Sequence, residues 1–376
     1  MAKSKFRNFD MKKTFKMFTW PIISPVAAWL ILAGTQLGLF QYLGNVYLFV
    51  MAAGLIGAVL AAVHHAEVVA HKLGEPFGTL LLAVAITIIE VALILSLMLA
   101  GGAQTAALAR DTVFAAVMII VSGIVGLCLL IGGVLYKEQV FKLHGANAAL
   151  TTLAAIVVLT MILPNYTITT AGPMYSHGQL AFIAVVSLIL YGTFVFVQVI
   201  RHRNYFLDAA DIELDTETLH TPTTSINTAM LSAGLLLVCL VAVVLLAKSL
   251  APSIEALVAS IGAPHQLVGV IIAGIVLLPE GLAAVRAARK NMFQTSLNLA
   301  LGSALASIGL TIPAVAILSL IMGWTLILGI DMKSAILLLL ALFVSSLSLA
   351  TGRTNVLQGV ILLVIFAVYL FTTVIP

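Results

Sequence analysis

The chain has 376 residues, of which 62% are hydrophobic and only 9% charged, with a mean hydropathy of +1.19. A soluble domain carries about 25% charge, so this composition excludes one and indicates a chain that crosses a membrane many times. The net charge of +4 and pI near 9.1 come without a basic, aromatic-interleaved face, so the expected partner is the lipid bilayer and not nucleic acid.

The N-terminal stretch MAKSKFRNFDMKKTFKMFTW is basic, and the apolar run behind it reaches about Phe40. That run is too long for a signal-peptide core and has no convincing small-residue cleavage site. Residues 1–18 are therefore expected to form a cytoplasmic tail and 19–41 a retained first helix. Ten further runs of spanning length are expected at 45–66, 77–100, 111–135, 147–163, 179–200, 227–249, 266–286, 295–322, 332–350 and 355–375. The fifth helix is short, and Pro313 can kink the ninth by removing a ladder hydrogen bond. Cys128 and Cys239 both sit within apolar runs and read as small core residues.

With the N-terminus cytoplasmic, fifteen of the eighteen Lys and Arg fall on inner segments, and only Arg110, Lys248 and Lys333 fall outside. That bias is the positive-inside signature, and one helix more or fewer would scramble it. The fold expected is an all-α polytopic membrane protein of about eleven transmembrane helices. One extra N-terminal helix precedes two five-helix halves, 45–200 and 227–376, joined by a polar cytoplasmic linker at 201–226. An odd number of spans per half places the halves in opposite orientations, the inverted-repeat plan of secondary transporters.

Two glutamates stand where the chain otherwise avoids charge. Glu90 lies in FGTLLLAVAITIIEVALILSLMLAGG and Glu280 in QLVGVIIAGIVLLPEGLAAV, 190 residues apart. A carboxylate at bilayer depth costs roughly 2.5 to 3.5 kcal/mol even on the lenient insertion scale, so it faces a protein interior or a water-filled path. Each glutamate falls in the second helix of its half, which predicts one site contributed to by both halves. Such a carboxylate either coordinates a hard cation or holds a proton. Desolvation disfavours its charged form and a bound cation favours it, so the two ligands compete. Gly74, Pro76 and Gly78 precede the Glu90 helix, while Pro279 and Gly281 bracket Glu280. Such breaks free carbonyl oxygens for further coordination.

The helix after each glutamate should supply the facing wall. In the second half it reads SLNLALGSALASIGLTIP, with Asn298, Ser303, Ser307 and Thr311, the last three spaced by four on one face. In the first half only Asp111, Thr112 and Ser122 are polar, and Asp111 reads more simply as a helix cap at the outer surface. His64, His65, Glu67, His71 and Glu75 cluster near a cytoplasmic helix end, as a proton antenna or, more simply, an interfacial anchor. Asp208, Asp211, Glu213, Asp215 and Glu217 of the linker could sense a cation, though a solvated acidic loop is the simpler reading.

The stretches HAEVVAHKLGEPFGTLLLAVAITIIEVALI, LCLLIGGVLYKEQVF and LLPEGLAAVRAARKNMFQTSLNLALGS resemble the calcium/cation antiporter superfamily, in its proton-exchanger branch. With LATGRTNVLQGV, the first is most similar to bacterial ChaA-type sodium-potassium/proton and calcium/proton antiporters. The resemblance implies eleven helices, two inverted repeats and one essential acid in each, which map to Glu90 and Glu280. The Gly302–Ser303 pair matches the family's second-repeat wall. Two departures stand out. The family's glycine-asparagine pair before the first acid is replaced by VAITIIE, and Ala116, Ile119 and Ile120 stand where the next helix usually offers Ser or Asn. Losing those oxygens argues against a tight six- to eight-oxygen Ca²⁺ site and opens exchange of Na⁺ or K⁺, with weaker Ca²⁺.

The expected function is an antiporter of the bacterial inner membrane that exchanges Na⁺, K⁺ or Ca²⁺ for protons and needs no resident cofactor. Glu90, Glu280, Thr87, Asn298 and Ser303, with the breaker carbonyls, form the expected cation shell. Helices one, two and six, or their repeat partners, are expected to rock around it. A passive cation channel is the alternative. An intramembrane metal-dependent hydrolase using His64, His65 and Glu67 or Glu90 is the remote one, since it needs two histidines on one face at bilayer depth.

Overall fold

The computed structural model describes residues 11–38, 45–73, 77–101, 105–207, 225–264 and 266–375. Among these residues eleven helices follow one another: α1 (Met11–Gln36), α2 (Asn45–Leu73), α3 (Phe77–Gly101), α4 (Leu108–Tyr136), α5 (Leu143–Tyr166), α6 (His177–Arg201), α7 (Ile226–Ser260), α8 (Gln266–Arg289), α9 (Phe293–Met322), α10 (Met332–Leu349) and α11 (Val356–Val374). Among the described residues, nine are long and apolar enough to cross a membrane, and Val84–Leu99 of α3 forms a shorter apolar stretch. Helices prevail because hydrocarbon offers no partner for backbone N–H and C=O groups, which must therefore bond within their own segment.

The helix ends follow local chemistry. Ser176 and Gln179 form a reciprocal capping box at the start of α6. Asp331 and Asn355 cap α10 and α11 by accepting from Ser334 and Leu357 N–H, and Gly323 ends α9 with φ +66°.

Two helices depart from expectation. α1 begins at Met11, within the stretch read as tail, and passes through Pro21 and Pro25. α7 continues through Pro252 to Ser260 instead of ending at 249. The residues beyond the proline, IEALVAS, are helix-compatible, and Val258 stays buried, so packing outweighs one missing N–H. α9 includes Pro313 within its span, as the sequence indicated.

π-helical turns interrupt α4 at Ile119–Ile124, α5 at Val158–Ile162 and the end of α6 at Val197–Arg201. A π turn shifts the ladder by one residue and leaves a carbonyl seeking another donor. Val121 O is met by Ser345 Oγ at 3.4 Å and Leu159 O by the Tyr175 hydroxyl at 2.5 Å.

The buried apolar residues fall into two cores. The larger gathers α4, α5, α6, α9, α10 and α11, while the smaller gathers α1, α2, α7 and most of α3. α8 belongs to both: Val268, Ile272 and Val276 face the smaller core, whereas Ala273, Leu277, Ala284 and Ala288 face the larger. Helix packing is reciprocal. α3 lies on α9 as α8 lies on α4, α6 lies on α9 as α11 lies on α4, and α2 lies on α7.

Loops repeat that reciprocity as two clasps. On the face where α6 ends and α7 begins (the linker face), Gln139 N–H donates to Thr354 Oγ1 at 2.7 Å, and Thr354 N–H donates to Gln139 O at 2.9 Å. The buried Gln139 amide also donates to Ala288 O and Asn291 Oδ1, both at 2.9 Å. The KEQ and GRTN stretches are thus one structure, fastened to the end of α8. On the opposite face, Asn165 Nδ2 donates to Ile330 O at 2.7 Å, Gly329 N–H to Pro173 O at 3.0 Å and Ile327 N–H to Ala106 O at 3.1 Å. Arg110 adds a bond to Gly329 O at 3.1 Å, fastening that clasp to the start of α4.

Candidate functional site

α3 carries Glu90 and α8 carries Glu280, each near the middle of its helix and buried at 4% and 7% exposure. Both helices pack against α9, and α9 supplies a hydroxyl to each acid. Ser307 Oγ donates to Glu90 Oε1 at 2.5 Å, and Ser303 Oγ donates to Glu280 Oε1 at 3.3 Å. Four residues make about one helical turn, so the spacing of 303 and 307 sets the two contacts one above the other.

Glu280 Oε2 is buried with no hydrogen-bond partner. Orphaning such an atom costs about 1–3 kcal/mol, which makes this oxygen the natural one to take a proton or a cation. Pro279 lacks the N–H that would bond the carbonyl of Ile275 one turn earlier, leaving that backbone oxygen without its ladder donor. Gly281 lets α4 approach closely: a Cβ there would lie 3.2 Å from Ile124 Cδ1. Thr87 is buried three residues before Glu90, on adjacent turns of the same helix. Thr311, one turn beyond Ser307, is fully buried with its hydroxyl unpartnered.

The structure does not bring Asn298 to the carboxylates. Its amide donates to the carbonyl of Phe206, and its Oδ1 accepts from Gln294 Nε2 at 3.0 Å. The reason is angular. Asn298 precedes Ser303 by five residues, which turns it roughly 140° away on the helix, whereas Ser307 shares the Ser303 face. Sequence reading singled out Ser307 by its spacing yet left it out of the cation shell.

Asp111 is not a cap either. The N-cap position of α4 is Ala107, and Asp111 lies in the first turn, in an ion pair with Arg110 at 2.7 Å. Ser122 donates to Met118 O at 2.5 Å, turned back on its own helix. His65 Nε2 lies 3.1 Å from Pro21 O, and His64 stacks obliquely on Trp20 with centroids 5.7 Å apart, so this pair ties α2 to α1. Among the described residues no three of His, Cys, Asp and Glu gather as a metal site, which leaves the hydrolase constellation unassembled. Gly74, Glu75, Pro76 and the linker acids Asp208, Asp211, Glu213, Asp215 and Glu217 lie outside the described residues, as does the His71 side chain.

The sodium/calcium exchanger protein family matches residues 43–200 and 231–375, on both sides of the polar linker. The chain belongs to this family. Among its relatives is the putative ionic transporter y4hA of Sinorhizobium fredii, 48% identical over 333 residues, covering 88% of this chain and 90% of the relative. The sodium-potassium/proton antiporter ChaA of Escherichia coli is 34% identical over 319 residues, covering 85% and 86%. The native YfkE structure superposes with a TM-score of 0.70 at 18% identity, over 94% of this chain and 99% of that one. The H⁺/Ca²⁺ exchanger CAX gives 0.66 at 16% identity, over 94% and 89%. At such identities the two structures speak for the fold alone. This exchanger-family chain is thus a multi-pass membrane transporter of cations and not an enzyme, with the eleven-helix architecture expected.

Proposed function

We propose that the protein is a secondary antiporter that exchanges Na⁺ or K⁺, and more weakly Ca²⁺, for protons across the bacterial inner membrane. The observation that carries this reading is the single wall on α9, where Ser307 and Ser303 each donate to one of two buried acids from different halves of the chain. Binding a cation there requires both carboxylates charged, and releasing it is favoured when they take protons, so the two ligands exclude each other. Oxygen donors come from Glu90, Glu280, Ser303, Ser307, Thr87 and the backbone at Ile275. Ala116 and Ile120 are buried on α4 and supply none, which falls short of what a tight Ca²⁺ site needs. The antiporter ChaA, 34% identical, is named for sodium-potassium/proton exchange, in keeping with this choice.

Alternation of access is assigned to the seam between the two cores. An apolar cleft lies within the smaller core, bounded by α2, α3, α7 and α8. α6 packs in the larger core, with Gly309 of α9 close against Tyr191, so the motion is assigned away from it. α1, α2 and α7, in the smaller core, are the movable set. The linker face bears Lys137, Lys142, Arg201, Arg203, Arg286, Arg289 and Arg353, which supports its cytoplasmic placement by the positive-inside rule.

The test is proton flux in everted vesicles with an imposed pH gradient, adding Na⁺, K⁺ and Ca²⁺ separately. Cation-triggered collapse of the gradient, with apparent cation affinity rising as pH rises, is expected. A passive channel would instead carry cations without moving protons, and an intact gradient with every cation would reject the antiporter.

A further inference from the structure

The segment after α6 does not simply leave the helix end. Arg203–Tyr205 form a 3₁₀ turn, and Phe206 folds back, 6% exposed, into a pocket of about 200 Å³ between α5, α6 and α9. Phe194 meets it edge-on with ring centroids 5.9 Å apart. The backbone of this strap is held from two helices. Asn298 on α9 donates to the Phe206 carbonyl, and Lys142 Nζ, just before α5, donates to Asn204 O at 2.6 Å. Gly145 permits the approach, since a Cβ there would lie 2.5 Å from Tyr205 O. Gln294 braces the hook by donating to Asn298 while its Oε1 accepts from Lys142 N–H at 2.7 Å.

The far end of the pocket is formed by Leu301 and Gly302, and nothing lies within 4 Å of a Cβ built on Gly302. Gly302 is the neighbour of Ser303, whose hydroxyl reaches Glu280. The pocket therefore runs from the linker face to the depth of the α9 wall, with two carboxamides, Gln198 and Asn298, among its lining residues. Apart from these two carboxamides the lining is apolar, and the Phe206 ring forms its wall on the linker side.

We propose that the strap His202–Phe206 is a lid over this pocket, with Phe206 as its stopper and Asn298 as its hook, so that release of the strap widens the pocket and admits water and cations to the Ser303 level of α9. The proposal rests on the antiport reading for its transport consequence. Its structural part stands on the pocket and the strap alone.

The experiment uses Gly302→Cys in full-length protein whose two buried native cysteines, Cys128 and Cys239, are replaced by alanine. A membrane-impermeant maleimide is applied to the linker face of reconstituted vesicles. Labelling is expected to be slow with the strap intact and at least about tenfold faster when Phe206→Ala, which removes a buried ring, or Gly145→Ala, whose Cβ would lie 2.5 Å from Tyr205 O, is added. Gly145→Ala displaces the strap without emptying the pocket, so it serves if Phe206→Ala folds poorly. The initial rate of cation-driven proton flux, measured without Gly302→Cys, is expected to change in the same two variants. Unchanged labelling in a folded variant would overturn the lid. Faster labelling with unaltered flux would overturn the pocket as a route. Absence of flux in the unsubstituted protein would count against the antiport reading instead, with labelling still deciding the lid.

Discussion

Ser303 and Ser307 stand one turn apart on α9, and each donates to a different glutamate, Glu280 and Glu90 respectively. A small rotation or slide of α9 would alter both contacts together, so the two acids are read by one rigid element. This geometry couples the halves of the chain at the point where charge has to be neutralised.

Replacing either acid by its amide keeps the volume and removes both the charge and the exchangeable proton. Glu90→Gln and Glu280→Gln are each expected to reduce cation-driven proton flux in everted vesicles to background while the protein remains monodisperse in detergent. Full flux in either variant would remove that residue from the site.

The hydroxyls should differ in weight. Ser307 is the closer donor, and a hydrogen bond to a charged group is worth about 1.5–3 kcal/mol. Ser307→Ala is therefore expected to shift the apparent cation KM by roughly 10- to 150-fold. Ser303→Ala, whose bond is long at 3.3 Å, should shift it less. Asn298→Ala should leave the KM for exchange nearer the wild-type value than Ser307→Ala does, because its amide serves the strap. KM series for the three variants decide the order.

The linker-face clasp makes a stability prediction. Gln139→Ala leaves Ala288 O and the Asn291 side chain without their donor, at a cost of about 1–3 kcal/mol. Gly132→Ala acts on the same bond from outside, since a Cβ there would lie 1.7 Å from Gln139 Oε1 and Gln139 cannot withdraw without breaking its bonds. Both variants should unfold at lower temperature in detergent. An unchanged melting temperature for both would show the clasp to be incidental.

Tyr175 lies in the loop between α5 and α6, and burial pushes its hydroxyl up to about 12. An unfolded tyrosine ionises near 10. Between these values the folded state binds more protons than the unfolded one, so stability falls as pH rises through that window. Tyr175→Phe should cost about 1–3 kcal/mol at neutral pH, because Leu159 O loses its donor. It should also flatten the loss of stability between about pH 10 and 12. Melting curves across that range provide the check.

Hydropathy made the eleven helices legible, because a bilayer imposes one length and one polarity on every span. Their ends were less so. Pro252 reads as a stop locally, yet α7 continues to Ser260 because Val258 finds a buried place. The π turns at Ile119–Ile124 and Val158–Ile162 leave no mark in composition, since their freed carbonyls are met by Ser345 and Tyr175 from elsewhere in the chain. Charge at membrane depth exposed Glu90 and Glu280, and the spacing of four exposed the hydroxyl face. Asn298 misled because polarity alone does not give direction around a helix. KEQ and GRTN were visible as separate strings, but their union through Gln139 and Thr354 is tertiary, spanning more than two hundred residues.

α8 has edges in both cores, with Leu278 and Leu282 among its few exposed apolar positions. Helices such as α2 or α10 can change residue by residue against one set of neighbours. On α8 an enlargement at Val276 presses one body and at Leu277 the other, one residue apart, with little slack for compensation. Drift along this helix therefore demands paired changes in both bodies, and evolutionary freedom there is confined to a narrow lipid-facing seam.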